Sequence, residues 1–554
     1  MPIAGLPELE TDGRARAVAL AALRLVDVEP VAVVEFTSHG RCLVIGPKPA
    51  ALDLARKLAG KLECSVAVPG DAALDVDRVE GIQVVSGGRP MVRGALGDFE
   101  VAMVAGGQQH SIGALLSPPV TRFDLVVDLG TPALMRQAMP PLGYYAPGTD
   151  EDALAALLAT LPEMRGEFEK PRYFNYNAEI CAHGRNGKRA CTRCIDACPA
   201  EAIVSVGNTV QVNPYLCQGG GACATVCPSG AMTYAYPRPG DLLGALRALL
   251  GDFQAAGGSS ACLLLHDATS IATLERDLAG RMPERVLPVE IEEIGSVGME
   301  AWLACLAYGT DAVVLLTSDR TPPQVVEALH EQLGTAWAIL AGMGYGADCL
   351  RMVNADQPES ALQALLGLPA GSSRPGARFA APAADKRGVL RLALQHLHAQ
   401  APSPKRSVTL PPGAPFGEVR VSAATCTLCM SCVSACPTHA LQDGRGLPQL
   451  NFREWDCIQC GLCERTCPED AVSLSARFLY DQEARERPRI LHEEQPVCCV
   501  ACGKPFATRS MLEKLGRKLE GHWMFQTEEA RRRLQMCEDC RVRDLYASEA
   551  RKGR

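Results

Sequence analysis

The chain has 554 residues, enough for several domains, and its 47% apolar and 21% charged side chains are the balance of a protein with packed cores. A net charge of −8, from 55 basic against 63 acidic side chains, argues against a general nucleic-acid binder. No apolar run approaches the roughly 18 residues that a membrane span needs, and Met1 to Glu8 offers neither a basic nor a long apolar stretch for export.

Residues 1–170 read as an α/β domain. Strands are expected over 31–36, 41–45, 101–104 and 123–129, with helical spacing over 49–62 (Ala51, Leu54, Ala55, Leu58) and a short helix over 152–161. The stretch Val44 to Leu52 sits where a dinucleotide fingerprint would, but only Gly46 matches, and Lys48, Pro49 and Leu52 intrude. A structural turn is therefore the preferred reading, with nucleotide or flavin binding the lesser one.

Residues 171–240 hold the first cysteine module. Cys191, Cys194 and Cys198-Pro199 have the spacing of the last three ligands of an iron–sulfur run, with Cys181 displaced upstream across the basic loop 182–190. The second run is Cys217-x2-Gly220-x2-Cys223-x3-Cys227-Pro228, so glycine stands where the second thiol belongs. No Asp or Glu replaces it. The site is either a three-iron or site-differentiated cluster, or it is vestigial. The basic loop either raises a neighbouring cluster's potential or is a solvated docking surface for an acidic partner.

Residues 241–366 alternate again: strands over 261–265, 285–290 and 311–317, helices over 269–280, 298–308 and 322–333, with Ala336 to Leu340 closing the strand pattern. Such alternation implies a mainly parallel sheet with both faces covered. Cys262, Cys305 and Cys349 read as buried apolar residues. Residues 367–416, rich in Pro, Gly, Ser and Ala, read as a linker with a helical island at 387–399.

Residues 417–480 carry Cys426-x2-Cys429-x2-Cys432-x3-Cys436-Pro437 and, at the same spacing, Cys457-x2-Cys460-x2-Cys463-x3-Cys467-Pro468. Three cysteines two residues apart let one loop wrap three irons of a cubane, each of which wants a soft thiolate. Residues 490–554 pair Cys499-x2-Cys502 with Cys537-x2-Cys540, the signature of a tetrahedral four-cysteine site. Zinc is the preferred metal and a rubredoxin-like iron the rival, with Cys498 a substitute ligand. The intervening charges mix both signs and read as a solvated or protein-docking face. With no export signal, the 25 cysteines fit a reduced, cytoplasmic compartment rather than a disulfide scaffold.

Module 417–480 resembles the bacterial two-cluster ferredoxins along its whole length. In that family the fourth cysteine of each run ligates the other cluster. The resemblance implies one cluster on Cys426, Cys429, Cys432 and Cys467, and another on Cys457, Cys460, Cys463 and Cys436. In the first module it implies Cys181, Cys191, Cys194 and Cys227 for one site, and Cys198, Cys217 and Cys223 for the incomplete one. Gly94 to Val101 resembles a segment of the heterodisulfide reductase polypeptide that combines a flavin domain with ferredoxin inserts. Gly298 to Val314 is similar to the small iron–sulfur subunit of methyl-viologen-reducing hydrogenase, whose cysteine ligands are not matched. If that ancestry holds, both α/β domains have lost their cofactors and serve as scaffold.

The expected architecture is multidomain, α/β plus α+β: two parallel-sheet domains alternating with two ferredoxin-like modules, then a zinc-ribbon-like module. The expected function is relay of single electrons between a donor and a redox enzyme partner, within a hetero-complex, through about three [4Fe-4S] clusters and one [3Fe-4S] or site-differentiated cluster. A flavin- or open-cluster-dependent enzyme and an assembly or regulatory factor are the alternatives.

Overall fold

The computed structural model describes residues 11–23, 32–278, 280–369, 371, 376–380 and 385–552. Met1 to Glu8, Val31, residue 279 and parts of the 367–416 stretch, on which expectations above fall, lie outside them.

The N-terminal domain is built on a mixed sheet. Its spatial order is Gln108–Ser111, Glu100–Ala105, Ile82–Arg93, Glu63–Val68, Arg41–Ile45, Leu125–Asp128 and Tyr144–Tyr145, with Gly70–Val79 paired to Ile82–Arg93. The centre and the Tyr144–Tyr145 edge are parallel, as the α/β pattern predicts, but the strands toward the other edge form antiparallel hairpins. The hairpins follow from two-residue turns with positive φ at both positions, Glu80-Gly81 (52° and 88°) and Gly106-Gly107 (57° and 79°). Such turns match the twist of antiparallel strands. The helix Lys48–Leu58 starts after Pro47 and buries Ala51, Leu52, Leu54, Ala55 and Leu58 against the sheet. A Cβ at Gly46 would lie 2.8 Å from Leu129 Cβ, so this glycine serves close strand packing.

The middle domain holds a four-stranded parallel sheet in the order Val286–Glu290, Cys262–His266, Ala312–Thr317, Leu350–Asn354. Its two central strands are buried at every position, as a sheet with helices on both faces requires. Cys262, Cys305 and Cys349 are all buried in apolar clusters. Ala336 to Leu340 is not a strand. It lies inside the helix Pro323–Met343, which ends at Gly344 with φ 90°. Its apolar run of Ala, Trp, Ile and Leu suits either conformation, and the fourth strand forms downstream, at Leu350–Asn354. The helix Lys386–Ala399 joins the same core: Val389, Leu390, Ala393, Leu394 and Leu397 pack with the fully buried Trp302. Truncating Trp302 to alanine would cost about 3–5 kcal/mol.

Each cysteine module repeats one plan. In the first, the strands Phe174–Tyr176 and Met232–Tyr234 pair, enclosing the hairpin Ile203–Val206/Thr209–Val212 and the short helices Arg193–Asp196 and Ala222–Thr225. In the second, Gly417–Val421 pairs with Val472–Leu479 around the hairpin Leu441–Gly444/Leu447–Phe452 and the helices Ser431–Ala435 and Leu462–Thr466.

The modules are docked, not strung. The Thr225 hydroxyl donates to the Gly295 carbonyl at 2.6 Å, fixing the first to the middle domain. Tyr480, beyond the last strand of the second, donates to the Ile339 carbonyl at 2.6 Å. Among the described residues, no helix is long and apolar enough to cross a membrane.

Candidate metal centres

The cysteine loops are shaped by left-handed residues at fixed offsets. Two and four positions after the first cysteine of a run stand Leu428 and Met430 (φ 54° and 60°), Gln459 and Gly461 (52° and 81°), and Gly219 and Gly221 (84° and 73°). Three positions after the fourth cysteine, Glu201, Gly230, His439 and Asp470 are left-handed in all four runs. A non-glycine residue rarely takes this conformation. Its recurrence marks a loop built to bend around something. Backbone N–H groups turn inward at the same places: Ala202, Met232 and Ala471 each donate to a cysteine sulfur, of Cys198, Cys227 and Cys467, at 3.3 Å.

In each module, cysteines of one run raise the thiols of the other. Cys194 is pushed upward by burial and then by Cys227, Cys191 and Cys181. Cys432 is pushed to about 12 by burial and by Cys426, Cys429 and Cys467. Cys463 is raised by burial and by Cys457, Cys460 and Cys436. Cys223 is raised by desolvation and then by Cys217 and Cys198. Thiolates gathered out of water repel one another, which is why burial and neighbouring sulfurs raise these thiols. A metal centre that takes them as thiolates resolves the conflict. The donor sets therefore fit iron–sulfur clusters.

The groups also neighbour one another. Cys223 senses Cys194 and Cys227. Cys460, raised to about 12, senses Cys191 across the module boundary. Cys463 senses Cys432. The Cys191 and Cys460 loops thus lie at the boundary between the modules, where Arg465 donates to the Arg189 carbonyl at 2.6 Å. Beyond them, the Thr508 hydroxyl donates to the Thr427 carbonyl at 3.1 Å, seating the C-terminal module beside the Cys426 loop. There the ligand atoms of Cys499, Cys502, Cys537 and Cys540 lie within 4.8 Å of one another. Cys498 is exposed and outside that group.

A family model for a 4Fe-4S dicluster domain matches residues 425–472, and one for a 4Fe-4S binding domain matches residues 210–233. Both modules are ferredoxin-like 4Fe-4S modules. The chain is 41% identical over 49 residues to the ferredoxin-type protein NapF of Escherichia coli strain K12, which is 9% of this chain and 30% of that protein. It is likewise 41% identical over 49 residues to ferredoxin-1 of Caulobacter vibrioides, 8% of this chain and 42% of the relative. The match spans less than half the length of either relative. Iron–sulfur electron transfer is the chemistry of such ferredoxin modules, and redox proteins are their usual partners.

Several residues around the ferredoxin modules carried no sequence signal. Arg387 lies 4.7 Å above the Phe416 ring and 5.0 Å above Trp455, and donates to the carbonyls of Pro415 and Trp455. Arg485 covers the other side, 4.9 Å from Trp455 and 4.5 Å from Phe478. Lys170 donates to the carbonyls of Tyr215 and Cys217 at 2.9 and 2.7 Å. Burial holds it down to about 8 against the pull of Cys217.

Proposed function

We propose that this chain is a multi-cluster relay protein, passing single electrons between a donor and a redox enzyme partner in a hetero-complex. What supports this is the docking of the two ferredoxin-like modules, where Arg465 donates to the Arg189 carbonyl at 2.6 Å and Cys191 helps to raise the Cys460 thiol. Isolated structural clusters have no need of such a junction.

In this reading, Cys426, Cys429, Cys432 and Cys467 hold one cubane, and Cys457, Cys460, Cys463 and Cys436 the next. Cys181, Cys191, Cys194 and Cys227 hold a third. Cys198, Cys217 and Cys223 hold a fourth centre that lacks one thiolate. When bound, the clusters supply one-electron chemistry. The polypeptide sets spacing, excludes water from the thiolates and places N–H donors and cations beside them. Cys499, Cys502, Cys537 and Cys540 hold a structural zinc. The N-terminal and middle domains act as scaffold, without flavin.

The test is anaerobic purification of the native complex with metal and flavin analysis, followed by a stepwise dithionite titration read by EPR. Reversible reduction with magnetic interaction between centres is expected. Clusters that cannot be cycled reversibly would sink the relay reading.

A further inference from the structure

The loop that lacks a thiol is neither relaxed nor open. Gly219 and Gly221 keep the left-handed turns that Gln459 and Gly461 make in the complete loop. The other side of the loop is walled: a Cβ at Gly221 would lie 2.4 Å from the Ser296 backbone, and one at Gly295 would lie 2.3 Å from the Gly220 carbonyl oxygen. The Tyr234 hydroxyl donates to the Gly219 carbonyl at 2.9 Å. A cysteine-binding conformation has been retained without its cysteine.

The space of the missing side chain is taken by a sulfur from another domain. A Cβ at Gly220 would lie 2.8 Å from Sδ of Met139 and 2.9 Å from Cγ of Pro199. Met139 belongs to the segment that follows the strand Leu125–Asp128 of the N-terminal domain. Its amide donates to the Pro199 carbonyl at 3.0 Å, which pins the segment beside the residue that follows Cys198. The thioether is thus held between the residue in place of the missing ligand and the neighbour of the crossover ligand. Thioether sulfur is soft and polarizable, a donor suited to iron–sulfur centres.

We propose that Met139 supplies the fourth ligand of the Cys198/Cys217/Cys223 centre, making it a four-iron cluster with three thiolates and one thioether. The proposal rests on the relay reading above. A neutral donor replaces an anionic one, so this centre carries one negative charge fewer than its neighbours. It should then be the easiest of the four to reduce, since net charge sets cluster potential. The N-terminal domain also gains a role beyond scaffold, because it closes the last corner of a cluster held by the module beside it.

Two substitutions in the full-length protein test this. Met139→Leu keeps the apolar filling and removes the sulfur, and Met139→Cys offers a thiolate instead. The wild type, oxidised and read by EPR, should show no three-iron signal. Met139→Leu should acquire one and lose about one iron per chain, while Met139→Cys should restore the four-iron centre. A full three-iron signal in the wild type, or identical spectra and iron content in Met139→Leu, overturns the proposal. Should Met139→Leu not fold, selenomethionine-labelled wild type decides. An iron neighbour at the selenium absorption edge supports the ligand, and its absence overturns it. Reversible reduction of the remaining clusters in the same samples reports on the relay separately, so either reading can fail alone.

Discussion

Arg465, in the helix Leu462–Thr466 of the second ferredoxin module, donates from Nη1 to the backbone carbonyl of Arg189 in the first, at 2.6 Å. The loop 182–190 that carries Arg189 had two sequence readings, a potential-raising charge or a docking face for an acidic partner. Part of the loop contacts the chain's own second module, while Lys188 and Arg189 remain exposed. Arg193 Nη2 also reaches the Gly413 carbonyl at 2.6 Å, and Asn186 Nδ2 lies 3.5 Å from Ser434 Oγ. This is the junction across which Cys191 and Cys460 sense one another.

Replacing Arg465 with alanine should therefore loosen the junction without unloading any cluster. One hydrogen bond from a charged donor is lost at a partly solvated site, so the stability cost should be about 1 kcal/mol. Iron content should be unchanged, while magnetic broadening between the two facing centres in reduced-state EPR should weaken. A spectrum identical to the wild type would show that the contact does not set their spacing.

Arg387 offers a test of how one cluster is tuned. Its guanidinium is partly buried beside Cys457, and desolvation pulls it down to about 10, leaving it charged at neutral pH. A partly buried cation stabilises the reduced, more negative cluster. Arg387→Met should lower the potential of the Cys457 centre and leave the Cys426 centre nearly unmoved. It should also cost about 2 kcal/mol from the lost ring stacking alone, and more from the stranded carbonyls of Pro415 and Trp455. An EPR-monitored redox titration and a denaturant melt separate the two effects. An unshifted Cys457 centre would refute the tuning role.

How far the sequence disclosed all this depends on the range of the interaction. The runs Cys426 to Cys436 and Cys457 to Cys467 were legible because cubane ligation is encoded in local spacing. The crossed sets followed from resemblance, and they enter the relay reading as part of the proposal. Met139 was invisible, because nothing local links it to Gly220 some eighty positions later. Arg387 sat in a stretch whose Pro, Gly, Ser and Ala suggested a linker, yet its helix is buried against Trp302. The misplaced strand at Ala336 to Leu340 has the same origin: composition fits two conformations, and the packing of the helix Pro323–Met343 selects one.

The middle domain carries a pH signature. Burial, reinforced by Asp267 and Glu292, raises the Glu293 carboxyl to about 7 from an ordinary value of 4.5. An acid with a raised folded pKa binds more protons folded than unfolded, so its contribution to stability is greatest below about 4.5 and is lost as pH rises through about 7. Glu293→Gln should therefore remove a fall in stability across that window and leave low-pH stability unchanged. Thermal melts at a series of pH values check this. An unaltered pH slope in the variant would show that the carboxyl is not strained by its surroundings.

The C-terminal module yields the last prediction, which concerns the metal's identity. Burial pushes the Cys499 thiol up, but N–H groups of Cys537, Ala501 and Cys502 outweigh it and hold the thiol down to about 6. Cys540 is raised to about 12 by hydrogen bonds to Cys502 and Cys537, so Cys499 is the thiol most ready to give up its proton to a metal. With four sulfurs within 4.8 Å of one another and no fifth ligand among the described residues, a closed tetrahedral site is expected. Elemental analysis should find about one zinc per chain alongside the cluster iron. Cys537→Ser should abolish the zinc, loosen the helices that follow Thr508 and leave the iron untouched, because Thr508 and Lys514 tie this module to the second ferredoxin module through Thr427 and Glu469, neither of them a cluster ligand. Zinc-free protein with an extra iron and rubredoxin-like absorbance would instead make this centre a fifth redox station, placed directly after the Cys426 cluster.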